Sequence, residues 1–501
     1  MDIHLENLER EATMLNWALP ALLLLLAGVI WRVVTAKRLP AGLTTAPWAP
    51  GGIPILGHAL RYRTNPAAFL SSSCASVGPV FRLNLAGKRM VVVGPDSAVI
   101  KEVATASESI LSARRAVAEI GFNETLGSLN VYFGTDLHKR WIKETYGAWW
   151  ARQPHDAPSG LRDEIRPLWR SLDRSLERER AASLRAADLF GLARATVLRC
   201  QVERLLGAPV LEAAGDAAFI SAFMSFQDRI EDATAKAAVL PRTLSLPLVL
   251  WPVARMRRKL TRRLAAAIAC AERGADPATL GSWLRAAATL PGELARRPSA
   301  QVAELAIGLL FASHKNPSIG AAQTLCALLE LGDTHPTASR LAASPGAEAL
   351  AGCHTIQRCV LETLRLCAHA IGAVRTVVAP GGFVLAGRYW VARGETIALA
   401  HVAVHRSTEV WGADADAFRP SRPEYGEAGA PASPPSEYEY TTFSQGLHTC
   451  PGERLALRTM ELLVAHFLTK GAALDGPLPP VSFERATLAQ RERVVAIRFA
   501  R

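Results

Sequence analysis

Apolar and polar positions fall into distinct regimes along this chain. "ATMLNWALPALLLLLAGVIW", Ala12–Trp31, is 20 residues without a charge, enough to cross the apolar core of a bilayer as one helix. It predicts a transmembrane anchor over 12–34 behind a short N-terminus over 1–11. Leu39–His58 then carries four prolines and repeated glycines, which preclude a continuous helix. A stiff hinge over 35–57, or a plain linker, is expected there. "PVFRLNLAGKRMVVVGP", Pro79–Pro95, is two β-like runs about a Gly-containing turn, hence a hairpin. From Asp96 to about Thr376 the period is helical, with breaks near Gly207–Val210, Pro241–Pro252 and Leu290–Gly292. Strand-like runs return at Thr376–Val391. An irregular segment follows over Arg406–Tyr440, with an exposed loop at Gly426–Ser436, and two short β-like runs close the chain. The expected fold is mainly α with a small β component, forming one unit over 58–501.

Composition agrees with a folded chain: of 501 residues, 50% are hydrophobic and 20% charged. The net charge of +12 and pI of about 9.6 suit a membrane surface, an acidic protein or a nucleic acid. The basic residues form no nucleic-acid motif, so no nucleic-acid partner is expected. Their densest cluster, Ala254–Arg263, directly follows the apolar Leu244–Val253. That pairing suits a loop dipping into a membrane; a solvated helix face or a buried helix turn are the plainer readings. Asp2, Glu6, Glu9 and Glu11 precede the anchor, whereas Arg32, Lys37 and Arg38 follow it, which puts the long C-terminal part in the cytosol. The eight cysteines include no C-x-x-C, and most read as reduced core residues. Cys353, Cys359 and Cys367 lie close together without zinc spacing.

One cysteine differs. In "FSQGLHTCPGERLAL", Phe443–Leu457, Cys450 stands between two glycines with Pro451 directly after it. Pro451 suits the first turn of a helix over Gly452–Lys470. N–H groups at that helix start would favour a thiolate. Gly446 and Gly452 let the backbone approach something flat and large. Phe443, Gly446, His448, Cys450 and Gly452 spell F-x-x-G-x-H-x-C-x-G in order, which resembles the haem-binding loop of the cytochrome P450 superfamily. The resemblance implies that Cys450 ligates haem iron, and thiolate ligation pushes electron density toward O–O cleavage. Further motifs agree. "ETLR" supplies Glu362 and Arg365, similar to the family's E-x-x-R. "FRPSR" supplies Phe418, Pro420 and Arg422, similar to its F-x-P-x-R. The resemblance implies a buried Glu362–Arg365–Arg422 triad, a haem propionate on Arg375 and the other on His448.

The chain departs from the family twice. Where most members carry an acid and an alcohol that relay protons, Leu309–Thr324 reads Ala312, Ser313, His314, Lys315, Asn316, Pro317. Pro317 is expected to kink this helix. Ser313 and Asn316 are similar to the branch of bile-acid sterol hydroxylases and prostacyclin synthase, which holds both O2-using and electron-free enzymes. Asn316 would orient a water or hydroperoxide. His314 either supplies protons near neutral pH or faces away. In His138–Trp150, Trp141 matches a propionate-binding position, but Thr145 stands where an arginine is usual; Lys139 or Lys143 is the expected substitute.

The resemblance implies a monooxygenase of the endoplasmic reticulum membrane. It would insert one oxygen atom into an apolar small molecule, with electrons from an NADPH-cytochrome P450 reductase. The alternatives are an isomerase or dehydratase of the same type needing no electrons, and a haem-binding membrane protein without turnover. Ala104–Phe133, with Arg114 and Arg115, and His369–Val374 are the access-loop candidates. The Ala/Arg/Pro-rich composition with an anchor points to a filamentous fungus and secondary metabolism, with a terpenoid, sterol or polyketide as substrate.

Overall fold

A computed structural model describes residues 39–54, 56–127, 160–180, 185–238, 240–271, 298–332, 354–427, 432–483 and 487–500. The anchor over 12–34 and Trp141 lie outside these residues. Among the described residues no helix is long and apolar enough to cross a membrane.

The hairpin forms as expected. Strands β1 (Val80–Leu85) and β2 (Lys88–Val93) pair antiparallel from Val80↔Val93 to Leu85↔Lys88. Ala86 and Gly87 both take positive φ, 51° and 97°, as a two-residue turn matched to strand twist requires. The sheet continues with β3 (Leu111–Ser112), β5 (Gly372–Val377) and β8 (Thr396–Leu399), in the order β1-β2-β8-β5-β3; β4 (Arg185–Ala186) belongs to a separate small sheet near the C-terminus. The β2–β8 pair is parallel, Met90↔Thr396 to Val93↔Leu399, so the sheet joins chain segments some three hundred residues apart. The run expected at Thr376–Val391 is thus the end of β5 and a small hairpin, β6 (Phe383–Leu385) and β7 (Tyr389–Val391).

Part of the segment expected as a hinge meets the sheet. Thr44 N donates to Arg388 O (2.9 Å) and Trp390 N to Thr44 O (2.8 Å), while Arg82 N donates to Pro47 O (2.7 Å) and Ala49 N to Arg82 O (3.0 Å). Proline removes donors but not carbonyls, so residues 44–49 are laid along the sheet. Ala46 and Ala49 are buried accordingly.

The longer helices are α1 (Pro66–Val77), α2 (Ser97–Thr105), α3 (Gly160–Arg180), α4 (Leu189–Leu206), α5 (Asp216–Ala237), α6 (Trp251–Ala271), α7 (Pro298–Ser313), α8 (Lys315–Leu331), α9 (His354–Leu366) and α10 (Glu453–Thr469). One apolar core joins α3, α4, α8, α9 and α10; a second joins α4, α5, α6 and α7. Gly320 lets α8 close on α10, since a Cβ there would lie 2.3 Å from Met460 Sδ. Before α6, a short helix (Arg242–Ser245) and a π turn (Leu246–Leu250) contain Pro247. Leu250 and Val253 are buried, yet Leu248 and Trp251 are 69% and 50% exposed. This segment is therefore neither a wholly buried turn nor a purely polar face.

Candidate functional site

The loop around Cys450 is folded on itself. Cys450 N donates to Phe443 O at 2.8 Å, closing a turn that contains a short 3-10 helix, Gly446–His448. Gly446 has φ 58°, and a Cβ there would meet the Ala104 carbonyl oxygen at 2.5 Å. Only glycine permits this loop to rest on α2. The helix after the loop begins at Glu453, with Gly452 as its cap. Pro451 therefore precedes the helix instead of opening it. Burial pushes the Cys450 thiol up; the Gly452 N–H opposes this, and Glu453 adds to it. A coordinated metal cation deprotonates a thiol outright.

Behind the loop lies the triad. Glu362 and Arg365 of α9 are wholly buried and Arg422 is 1% exposed. Arg365 Nε and Nη2 donate to the two Glu362 oxygens at 2.8 Å each, and Arg422 Nε donates to Oε1 at 2.9 Å. Two more donors converge on the carboxylate: Tyr425 OH at 2.6 Å and Arg419 N at 2.8 Å. Burial would raise the Glu362 pKa, but Arg365, Tyr425 and the Arg419 N–H outweigh it and hold it below the usual value. The remaining guanidinium donors reach backbone carbonyls of His405, Ala415 and Ala417 from Arg365, and of Trp411, Asp414 and Ala417 from Arg422. Among its described residues the segment Arg406–Tyr440 has no strand; these two side chains satisfy several of its carbonyls. The residues flanking the segment meet: Thr441 N donates to His405 Nε2 at 2.8 Å and Thr441 Oγ1 lies 2.6 Å from His401 Nδ1.

The residues fit a flat, anionic prosthetic group. Arg375 on β5 is 5% exposed, and its Nη1 donates to the Val374 carbonyl at 3.0 Å. Among the described residues no carboxylate pairs with it. A buried guanidinium so placed calls for an anion, as a haem propionate would supply. Burial pushes its pKa down, with Glu108 partly opposing. His448 Nε2 lies 3.2 Å from Glu108 Oε1, so the second propionate candidate already has a carboxylate neighbour.

Elsewhere in the chain, α7 ends at Ser313 and α8 starts at Lys315. Ser313 is the i−4 residue of Pro317, whose ring excludes that carbonyl and whose missing N–H leaves it unbonded. The expected kink takes the form of an interruption at His314, three residues before the proline, where φ is −108° and ψ −41°. Ala312 is exposed, Ser313 and Asn316 are half-buried, and His314 and Lys315 are buried. His314 turns toward α5. Its ring packs edge-on to Phe223 of α5 (5.6 Å), Nδ1 lies 2.6 Å from Leu310 O, and burial pushes its pKa down to about 3. Lys315 likewise turns to α5. Asn316 Oδ1 and Ser313 Oγ have no hydrogen-bond partner among the described residues. Arg115, an access-loop candidate, is exposed and pairs with Glu119 at 2.9 Å.

Tyr425, the Arg419 N–H, Glu108 and the partners of Lys315 escaped the sequence reading. None carries a local spacing signal, because each meets its partner across more than 50 residues.

Comparison with known proteins agrees with this geometry. Residues 340–470, which hold the triad and Cys450, match the Cytochrome P450 family model. Cytochrome P450 714C3 of Oryza sativa subsp. japonica is 27% identical over 202 residues, 38% of this chain and 38% of its own length. Cytochrome P450 monooxygenase ecdH of Aspergillus rugulosus is 35% identical over 115 residues, 23% of this chain and 22% of its own. The chain thus matches well under half the length of these relatives. The retinoic acid-bound cyanobacterial CYP120A1 superposes with a TM-score of 0.68 at 16% identity, covering 91% of this chain and 99% of that one. Mainly helical with small sheets, the chain has the P450 fold, and the stretch that holds the triad and Cys450 is similar to the Cytochrome P450 family, whose members carry a haem-thiolate cofactor.

Proposed function

We propose that this chain is a membrane-anchored haem-thiolate monooxygenase acting on an apolar small molecule, with electrons delivered by an NADPH-cytochrome P450 reductase. The observation that carries this is Cys450, presented on a glycine-shaped loop and braced by the buried Glu362–Arg365–Arg422 triad. Haem, when bound, supplies the redox chemistry that activates O2. The protein's part is to hold and orient. Cys450 would ligate the iron, Arg375 would hold one propionate and His448 the other, and Phe443 and Trp141 would be further contacts. Asn316 and Ser313 present an amide and a hydroxyl on the flank of the broken helix that also bears Ala312. They are the groups that hydrogen-bond a reacting oxygen or water, in place of the usual acid and alcohol.

Several features support the bilayer. Leu240, Leu244, Leu248 and Trp251 are exposed, directly before the basic run of α6. Trp48, Ile53, Leu56 and Leu60 form a second exposed apolar group in the segment that follows the anchor. Endoplasmic reticulum, a fungal source and a terpenoid, sterol or polyketide substrate complete the reading.

The test is to delete the gene in its host, identify the metabolite that accumulates, and supply it to microsomes with reductase, NADPH and isotopically heavy O2. One heavy oxygen in the product is expected, and none with Cys450→Ser. A product of unchanged mass formed without NADPH would overturn the monooxygenase. It would favour the isomerase that the Asn316-Pro317 pair also suits.

A further inference from the structure

The helix break at His314 is fastened by a charge cluster that the thiolate site does not use. Lys315, the first residue of α8, is 2% exposed. Its Nζ donates to Asp228 Oδ1 at 2.9 Å and to both Glu231 oxygens at 2.6 Å. Both acids belong to α5. Arg194 of α4 donates to the two oxygens of the same Asp228, at 3.0 and 3.2 Å. Two cations and two carboxylates thus join three helices at the point where a fourth ends.

A helix broken by proline is weak at the break. The first-turn N–H groups of α8 have no intrahelical acceptors, and Pro317 leaves the Ser313 carbonyl unbonded. The local bonds across the gap run from Ser318 N (3.1 Å) and Ser318 Oγ (2.5 Å) to His314 O. They close the first turn of α8 onto residue 314 but do not tie that turn to a neighbouring helix. Lys315 supplies that tie. Successive helical residues are turned by about 100°, so seating Lys315 against α5 fixes where its neighbour Asn316 points. Asn316 then lies on the flank of Ala312, four residues earlier, which is exposed while Lys315 is buried.

We infer that Lys315 is a positioning residue: its ammonium, held between Asp228 and Glu231, sets the first turn of α8 and thereby aims the Asn316 amide. The inference rests on the reading of Asn316 as the polar group beside the reacting centre. Breaking a buried pair strongly destabilises its surroundings, and here the surroundings are the break itself.

Two measurements on the full chain test it. Hydrogen exchange of the haem-free protein should be about tenfold faster or more at residues 313–318 in Lys315→Met, with Lys315→Arg close to the parent. The carbon monoxide stretching band of the reduced, haem-loaded protein, which senses polar groups beside the iron, should shift in Asn316→Ala. Lys315→Met should shift it likewise, and adding Lys315→Met to Asn316→Ala should add nothing further. Glu231→Gln serves as the second variant should Lys315→Met fail to fold. A band moved by Asn316→Ala but not by Lys315→Met or Glu231→Gln overturns the positioning role. A band that ignores Asn316→Ala overturns the reading of Asn316 instead, while the exchange result still judges the lock.

Discussion

Replacing Glu362 by Gln isolates what the triad does. The carboxylate accepts five hydrogen bonds, three at Oε1 (Arg365 Nη2, Arg422 Nε and Arg419 N) and two at Oε2 (Arg365 Nε and Tyr425 OH). An amide has one acceptor oxygen and two donor hydrogens. Its better orientation keeps the three bonds at Oε1 and turns NH2 toward Arg365 Nε and Tyr425. The tyrosine hydroxyl can rotate to accept; Arg365 Nε cannot. Two guanidiniums, both almost wholly buried, lose their common countercharge, and only Arg422 retains another, Asp414 at 3.0 Å. Removing one partner of such a group costs about 3–5 kcal/mol, against a typical domain stability of about 5–15 kcal/mol. At a urea slope near 3 kcal/mol/M the unfolding midpoint should fall by about 1–1.7 M. The sign with pH follows from the depressed pKa of Glu362. Its contribution is complete above the ordinary carboxylate value, about 4.3, and disappears as pH falls through the lower folded value. The gap between parent and Glu362→Gln should therefore be full at pH 7 and close in acid. Urea titrations of both proteins at several pH values, followed by tryptophan fluorescence, measure it. A midpoint moved by less than about 0.2 M at pH 7, with haem loading unchanged, would refute this role for the carboxylate.

Further outcomes follow from the site. Gly446→Ala forces a positive φ on alanine and a Cβ into the Ala104 carbonyl; it should cost about 1–3 kcal/mol and shed haem, read as a lower haem-to-protein ratio after gel filtration. Arg375→Gln removes a buried cation that lacks a carboxylate partner among the described residues, so the haem-free protein should lose little stability while haem dissociates faster; transfer of haem to an apo-globin acceptor gives the rate. Leu248→Asp with Trp251→Asp should weaken flotation with phospholipid vesicles, in the chain lacking residues 1–38, without changing the reduced carbon monoxide spectrum. Unaltered flotation would mean that this exposed apolar pair does not meet the bilayer.

What the sequence made legible was local. The thiolate loop, E-x-x-R and F-x-P-x-R are short patterns because each acts on the backbone or over a short range, as a tight turn, two side chains on one helix face, or a chain reversal. The proline break was legible for the same reason, since Pro317 acts on a carbonyl four residues away. The hairpin at Ala86-Gly87 required only its turn. Partnerships across the chain were not legible. Lys315 meets acids 84 and 87 residues before it, and nothing in "SHKNP" says which way its stem turns. The same blindness left two orientations open for His314, which packing against Phe223 decides. In the segment expected as a hinge, proline content reports only what it cannot donate, while its carbonyls find donors in Arg82 and Trp390.

The parallel pairing of β2 with β8 has a consequence for how the molecule comes into being. Residues 340–470 contain the triad and Cys450, yet β8, paired with β5 along one edge, has its other edge covered by residues 90–93, and the cysteine loop rests on Ala104. A fragment starting near residue 340 would carry every diagnostic motif and still present an open strand edge and an unsupported loop. During synthesis the early strands must wait, exposed, until some three hundred further residues have left the ribosome. Cofactor capture is therefore a late event, possible only on a nearly finished chain, and chaperones that shield the β1–β2 hairpin in the interval should govern how much holoprotein a cell obtains.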